Sequence, residues 1–267
     1  MADKIAIVGA GAMGGALVRG LIARGAAQPQ DIIVNELDRE RRDALVSEHG
    51  VTAGAGLPDG VRGARAVVLA VKPQAFASLA GDLRDGLAPE QLVLSIMAGV
   101  RLATLTDGLG TGRVVRAMPN MPAQVGRGVA VWMGGSGTNG ADRALAARLL
   151  GALGTEIEVT EEDAIDAATA VHGSGPAYVF LVAEAWLEAA QALGLDHTIA
   201  ETLVRETLAG SVKLWEASGK DPATLRAAVT SPGGTTEAAI QTLEARGLRE
   251  AFKAALQAAY RRSQELG

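Results

Sequence analysis

Near the start of the chain a β-forming run, Lys4-Ile5-Ala6-Ile7-Val8, ends in Gly9-Ala10-Gly11-Ala12-Met13-Gly14 and passes straight into a helical pattern from Gly14 to Arg24. No other feature limits the fold so tightly. A G-x-G-x-x-G is weak on its own in a chain with 34 glycines. Its setting gives the three glycines distinct roles, in a tight turn, at the close approach of a pyrophosphate, and where strand meets helix. The unpaired N–H groups at the start of the helix then form an anion receptor. The pattern predicts a dinucleotide-binding unit and asks for an acid about 20 residues further on, at the end of the second strand. Asp31-Ile32-Ile33-Val34-Asn35 reads as that strand, and Glu36 follows it. A carboxylate there holds ribose hydroxyls and repels a 2′-phosphate, which favours NADH. Arg39, Arg41 and Arg42 stand close enough to receive a phosphate instead, so NADPH and NADH are both candidate cofactors.

The rest of the first 160 residues keeps this rhythm. Ala66 to Val71, Leu92 to Ile96 and Arg113 to Met118 are short, nearly continuous apolar runs, as expected for strands covered on both faces. Val129 to Met133 is a further candidate strand, antiparallel at the far edge. Strands alternating with helices at this spacing imply right-handed βαβ units. Residues 1–160 are therefore expected to form an α/β Rossmann domain, a doubly wound and mainly parallel sheet. Ligands of such sheets sit beyond the carboxyl ends of the strands. That places Ala70, Val71, Lys72 and Pro73, then Ala98 and Gly99, then Asn120 beside the cofactor, together with Gly9, Ala10, Gly11, Ala12, Met13, Gly14, Asn35 and Glu36. Asn120 can donate and accept near the reacting ring.

After Glu161 the texture changes. Pro176 to Leu193 is apolar nearly all round, Thr198 to Ala217 is amphipathic, and Leu248, Phe252, Leu256 and Tyr260 mark a last helix. Residues 161–267 are expected to be all-α. An all-round apolar helix needs cover, either in a subunit interface or as a central helix within one subunit. Between the helices, Thr230-Ser231-Pro232-Gly233-Gly234-Thr235-Thr236 precedes a helix expected from about Glu237. Such a loop is either an anion receptor sized for a carboxylate or an ordinary Ser/Thr cap.

Composition removes several classes of function. The net charge is −5 with no basic patch, which excludes nucleic acid as a partner. Cysteine is absent and the three histidines are scattered, so no metal site is expected. No apolar run is long enough for a membrane span, and Asp3 and Lys4 before the first apolar run read as a cytoplasmic start.

The glycine fingerprint, Ala70-Val71-Lys72-Pro73, Met118-Pro119-Asn120, His172-Gly173-Ser174-Gly175-Pro176-Ala177-Tyr178 and Ser231-Pro232-Gly233-Gly234-Thr235-Thr236 occur in one order along the chain. In these motifs it resembles the pyrroline-5-carboxylate reductases over essentially its whole length. The resemblance implies a Rossmann domain followed by a helical, substrate-binding dimerisation domain, with homodimers that often assemble into a decamer. It implies reduction of Δ1-pyrroline-5-carboxylate to L-proline by hydride from NAD(P)H, the last step of proline biosynthesis, in the cytoplasm. It places the substrate carboxylate on Ser231, Gly233, Gly234, Thr235 and Thr236, the two threonines nearest, and puts Glu162 and Thr169 near the substrate as catalytic candidates. The chain departs from the pattern at His172, where the family usually has Ser, at Met121, where Thr is common, and at Glu36, where Ser or Arg is frequent. His172 reads either as a proton donor or as a structural histidine at a helix start.

A protonated ring imine is already a strong electrophile, so positioning can carry most of the catalysis. Thr169, Glu162 or a bound water are the candidates at the nitrogen. β-Hydroxyacid dehydrogenases share the same plan but resemble one another in a catalytic lysine early in the interdomain helix, and Gly173 to Leu193 contains no lysine. A reductase of other cyclic imines and a non-catalytic nucleotide sensor are the remaining alternatives. The carboxylate loop argues against both.

Overall fold

The computed structural model describes residues 3–267. The first strands and helices are β1 (Ile5–Val8), α1 (Ala12–Ala23), β2 (Ile32–Asn35), α2 (Arg39–His49), β3 (Thr52–Ala53), β4 (Ala66–Leu69), α3 (Phe76–Gly86), β5 (Leu92–Ser95), α4 (Leu102–Leu109) and β6 (Val114–Pro119). They are followed by β7 (Gly128–Gly134), α5 (Gly140–Gly151), β8 (Gly154–Glu158) and α6 (Glu162–Ala168), which runs into a π-helical turn at Thr169–Gly173. The strands form one sheet in the order β3-β2-β1-β4-β5-β6-β7-β8. All neighbours are parallel except β6 and β7.

The order reverses at β1, whose neighbours are β2 and β4. Val8 is level with Asn35 on one side and Leu69 on the other. The three strands thus end together, which brings Gly9, Glu36 and Ala70 to one edge. Alternate residues of β1 enter different cores: Ile5 and Ile7 pack with Leu17 and Leu21 of α1, while Ala6 and Val8 pack with Phe76 and Leu83 of α3 and Leu105 and Leu109 of α4. Burial on both faces is why these strands read as unbroken apolar runs.

β7 is antiparallel to β6 as expected, but it is not the edge, because β8 pairs beyond it. In β8 the larger apolar Ile157 alternates with Glu156 and Glu158 and is itself 47% exposed. Five half-solvated residues leave little apolar signal, and β3 with two residues leaves less.

By compactness the described chain divides between Ser174 and Gly175, and the last helix returns, from Ala259 on, to the first unit. The texture change after Glu161 marks where strands stop. The compact division comes later because α6 and the π-turn are held to β6. The second unit contains α7 (Gly175–Ala192), α8 (His197–Ser218), α9 (Pro222–Ala228), α10 (Thr235–Ala245) and the first part of α11 (Leu248–Leu266). Only Ala190 of α7 is buried, whereas Val179, Phe180, Leu181, Val182 and Trp186 are exposed. Among the described residues no helix is long and apolar enough to cross a membrane.

Candidate active site

At the reversal point lies a cavity of about 580 Å³ lined by Gly9, Gly11, Asn35, Glu36, Ala70, Val71 and Lys72. Gly9 has φ 94°, and a Cβ there would come within 2.8 Å of the Ala70 carbonyl oxygen. A Cβ on Gly14 would meet the Gly9 carbonyl oxygen at 2.1 Å. Gly11 is different: nothing lies within 4 Å of where its Cβ would be. Two glycines therefore let the protein touch itself, and the middle one keeps open space at the start of α1. The helix carries no acid in its first turn, so its free N–H groups suit an anion. Lys72 and Arg39 stand on the cavity wall without an ion-pair partner among the described residues. These features fit a dinucleotide.

Glu36 is nearly enclosed, with Oε2 accepting from the Ala10 N–H at 2.7 Å and Oε1 from the Asp38 N–H at 3.0 Å. Arg41 approaches it to 3.7 Å. The carboxylate is thereby fixed at the end of β2, next to the glycine turn. Asn35 contributes its backbone carbonyl, which accepts from the Gly9 N–H. Its side chain turns away to donate to the Gly60 carbonyl and packs between Gly54 and Gly60. Gly54, Ala55, Gly56 and Leu57 line the cavity too, and sequence reasoning missed them, since the two-residue β3 before them carries almost no pattern. Ala12, Met13 and Gly14 belong to the first turn of α1, and Pro73 opens a short 3₁₀ turn. Ala98 and Gly99 follow β5, and Gly99 has φ 75°.

Beside the carboxyl end of β6 lies a second group of residues. Arg116, side chain 3% exposed, donates from Nη1 to Glu162 Oε1 at 2.7 Å and from Nη2 to Asp166 Oδ1 at 2.8 Å. Glu162 Oε1 also accepts from the Leu102 N–H, and Asp166 accepts from Arg101 and from Ser263 of α11. Glu162 Oε1 thus holds both a guanidinium and the first N–H of α4. A charged residue in an otherwise apolar strand was the available signal for this cluster, because a buried arginine must be paired.

Thr169 opens the π-turn, and its hydroxyl donates to the Ile165 carbonyl at 2.7 Å. π-Turns are rare and often mark functional sites. His172 lies across the turn with Nδ1 2.6 Å from the Ala168 carbonyl oxygen and Nε2 2.8 Å from that of Met118. Both ring nitrogens therefore face backbone carbonyls. Asn120 donates to the His172 carbonyl and accepts from the Val129 N–H. Its amide braces the loop after β6.

In the second unit the Ser231–Thr236 loop makes a tight turn, with the Gly234 N–H donating to the Ser231 carbonyl at 3.0 Å. The positive φ, 70°, belongs to Gly233. Gly234 has extended backbone and caps α10, which begins at Thr235, two residues before the expected start. A Cβ on Gly234 would come within 2.6 Å of Ser231 Oγ. Ala238 is the first residue whose N–H bonds back to Gly234, so the N–H groups of Thr235, Thr236 and Glu237 have no partner within the helix. The Glu237 carboxylate accepts from the Gly233 N–H at 2.7 Å, an internal sign that this turn suits a carboxylate. Among the described residues no cluster of His, Cys, Asp and Glu could hold a metal.

The family model for pyrroline-5-carboxylate reductase dimerisation matches residues 162–266, and that for F420-dependent NADP oxidoreductases matches residues 4–99. A pyrroline-5-carboxylate reductase of Pseudomonas aeruginosa is 40% identical over 264 residues, covering 98% of this chain and 96% of the relative. One from Synechocystis is 39% identical and covers 100% and 99%. The solved structure of a pyrroline-5-carboxylate reductase from Coxiella burnetii superposes with a TM-score of 0.94 at 37% identity, covering 100% and 99%. That of Plasmodium falciparum pyrroline carboxylate reductase with NADP bound has a TM-score of 0.88 at 26% identity, covering 99% and 98%. By these full-length relationships the chain belongs to the pyrroline-5-carboxylate reductase family.

Proposed function

We propose that this chain reduces Δ1-pyrroline-5-carboxylate to L-proline with NADH or NADPH, as the last step of proline biosynthesis in the cytoplasm. The observation that carries the reading is the presence of two separate anion receptors on one chain of this family. One is the glycine turn at the start of α1, and the other is the open start of α10. A nucleotide sensor has no use for the second.

Bound at the first receptor, a reduced nicotinamide coenzyme supplies the hydride. Gly9, Gly11 and the first turn of α1 hold its pyrophosphate, with Lys72 as an added cation. Glu36 takes the ribose hydroxyls, which leans the preference towards NADH, while the unpaired Arg39 keeps NADPH usable. The N–H groups of Thr235 and Thr236 hold the substrate carboxylate, shaped by Gly233 and Gly234. The Thr169 hydroxyl already donates to Ile165, so its free lone pairs accept from the protonated ring nitrogen. That nitrogen keeps its proton while the ring carbon receives the hydride, and no separate acid is needed. Glu162 serves by holding Arg116 and the start of α4. A second copy of the chain covers the exposed apolar side of α7, and such dimers build a decamer.

The test is turnover in both directions. Pyrroline-5-carboxylate should be reduced at the expense of either coenzyme, and proline should reduce NAD⁺ or NADP⁺ at alkaline pH. Absence of both reactions in folded dimer would overturn the reading.

A further inference from the structure

The α6–π-turn segment is fastened to β6 at two levels. At one, the Arg116 guanidinium holds Glu162 and Asp166. At the other, the His172 ring reaches the Met118 carbonyl, 2.8 Å from Nε2, and the Ala168 carbonyl, 2.6 Å from Nδ1. A carbonyl can only accept, so a neutral ring with one N–H serves one of them at a time. Of the two contacts, the one that ties turn to strand is that of Nε2 with the Met118 carbonyl. Asn120 reinforces it by donating to the His172 carbonyl at 3.0 Å. Gly173, with no side chain, lets the layers close: a Cβ there would lie 3.2 Å from Met118 Cε and 3.3 Å from Thr169 Cγ2. Thr169 sits in the widened turn between the two attachments.

A π-turn has poorer hydrogen-bond geometry than the helix around it and persists where its surroundings hold it. We infer that His172 is a positioning residue: by holding the π-turn to the Met118 carbonyl it sets where the Thr169 hydroxyl lies. This rests on the proposed role of Thr169 at the substrate nitrogen. It also accounts for a histidine that offers no free ring nitrogen for proton transfer.

The experiment is a double-mutant cycle in the full-length dimer, using Thr169→Val, His172→Ala and the double variant, with His172→Gln as rescue. For each, kcat and KM for pyrroline-5-carboxylate are measured together with the NADH dissociation constant. Misplacing a positioned group by about 1 Å costs up to roughly a hundredfold in rate, so Thr169→Val and His172→Ala should each lower kcat about tenfold or more. NADH binding should stay within about twofold, because the coenzyme turn is held by other residues. The double variant should be no slower than Thr169→Val alone. His172→Gln, whose amide N–H spans towards Met118, should recover most of kcat.

If Thr169→Val keeps wild-type kcat, the role of Thr169 fails and the inference with it. If Thr169→Val is slow but His172→Ala is not, or if the two losses multiply, the inference alone is overturned. Should His172→Ala fail to fold, His172→Gln decides: kcat near wild type supports the inference, and a loss equal to that of Thr169→Val overturns it.

Discussion

The two compact units solve the problem of burial differently. The first places Ile5, Leu17, Leu94, Trp132 and Leu149 in cores of its own, on both faces of the sheet. In the second the fully or nearly buried apolar residues are Ala190, Ala200 and Val204, while Phe180, Trp186, Ile199, Leu214 and Trp215 lie open. A unit that hides small residues and shows large ones cannot stabilise itself by burial within one chain. The first unit is held together by its own sheet, and the second by association, so its stability depends on chain concentration.

The ion pairs repeat the contrast, and they offer the largest expected effect. Asp142, with no exposed surface, accepts from Arg65 and Arg113 and closes a capping box with Asn139. Burial pushes its carboxyl up, but the hydrogen bonds from Arg113 and Arg65 and the Asn139 N–H outweigh this and hold it below the usual carboxylate range. Asp142→Ala should destabilise the protein by roughly 3 kcal/mol in denaturant unfolding, because it removes one partner of a buried charge cluster. The contribution of Asp142 is fully present above the ordinary carboxylate range and is lost as pH falls through the lowered value. Midpoints measured at falling pH should therefore converge for wild type and Asp142→Ala. Glu244 in the second unit is also lowered, by its hydrogen bond from Arg249, yet it is exposed. Glu244→Ala should leave the midpoint unchanged. Equal losses at both positions would break the contrast.

A charge on the open face of α7 comes next. Phe180, 59% exposed, should lie in the dimer interface, and Phe180→Asp should raise the dimer dissociation constant about thirtyfold or more, read by sedimentation. Far-ultraviolet circular dichroism of the first unit's sheet should hardly change. A dimer of unaltered strength would mean that α7 faces elsewhere.

Smallest is the coenzyme effect. Glu36→Ser should raise kcat/KM for NADPH by about tenfold or less, through loss of one repulsive carboxylate. A wild type that already strongly prefers NADPH would place Glu36 off the ribose.

What could be read from the chain follows the same division. Strands such as Ala66–Leu69 are apolar on both faces and stand out in the sequence, and the glycine turn stands between two clear patterns. β8 was hidden because this short edge strand carries one larger apolar residue, Ile157, between Glu156, which accepts from the Trp132 indole, and the exposed Glu158. The start of α10 was displaced by two residues because an extended Gly234, with no capping side chain, replaces the usual polar cap. Arg116 was visible as a charge in an apolar strand, but its partners lie about fifty residues away in α6, and no local pattern names them. The π-turn left no sign, since its extra residue depends on a tertiary anchor at Met118.

The most direct test of the central claim, that a carboxylate-bearing imine is held at the Ser231–Thr236 turn, is Gly234→Val. The new side chain would press on Ser231 Oγ, 2.6 Å from the Cβ position, and on the Ser231 carbonyl oxygen at 3.0 Å, so the N–H groups of Thr235 and Thr236 would be displaced. Loss of a charge-assisted hydrogen bond costs roughly 1.5–3 kcal/mol, which is about a ten- to hundredfold fall in kcat/KM for pyrroline-5-carboxylate. The dissociation constant for NADH, followed by fluorescence, should stay within about twofold, because the glycine turn that holds the coenzyme belongs to the first unit. A folded Gly234→Val enzyme with undiminished kcat/KM would show that the substrate carboxylate binds somewhere else.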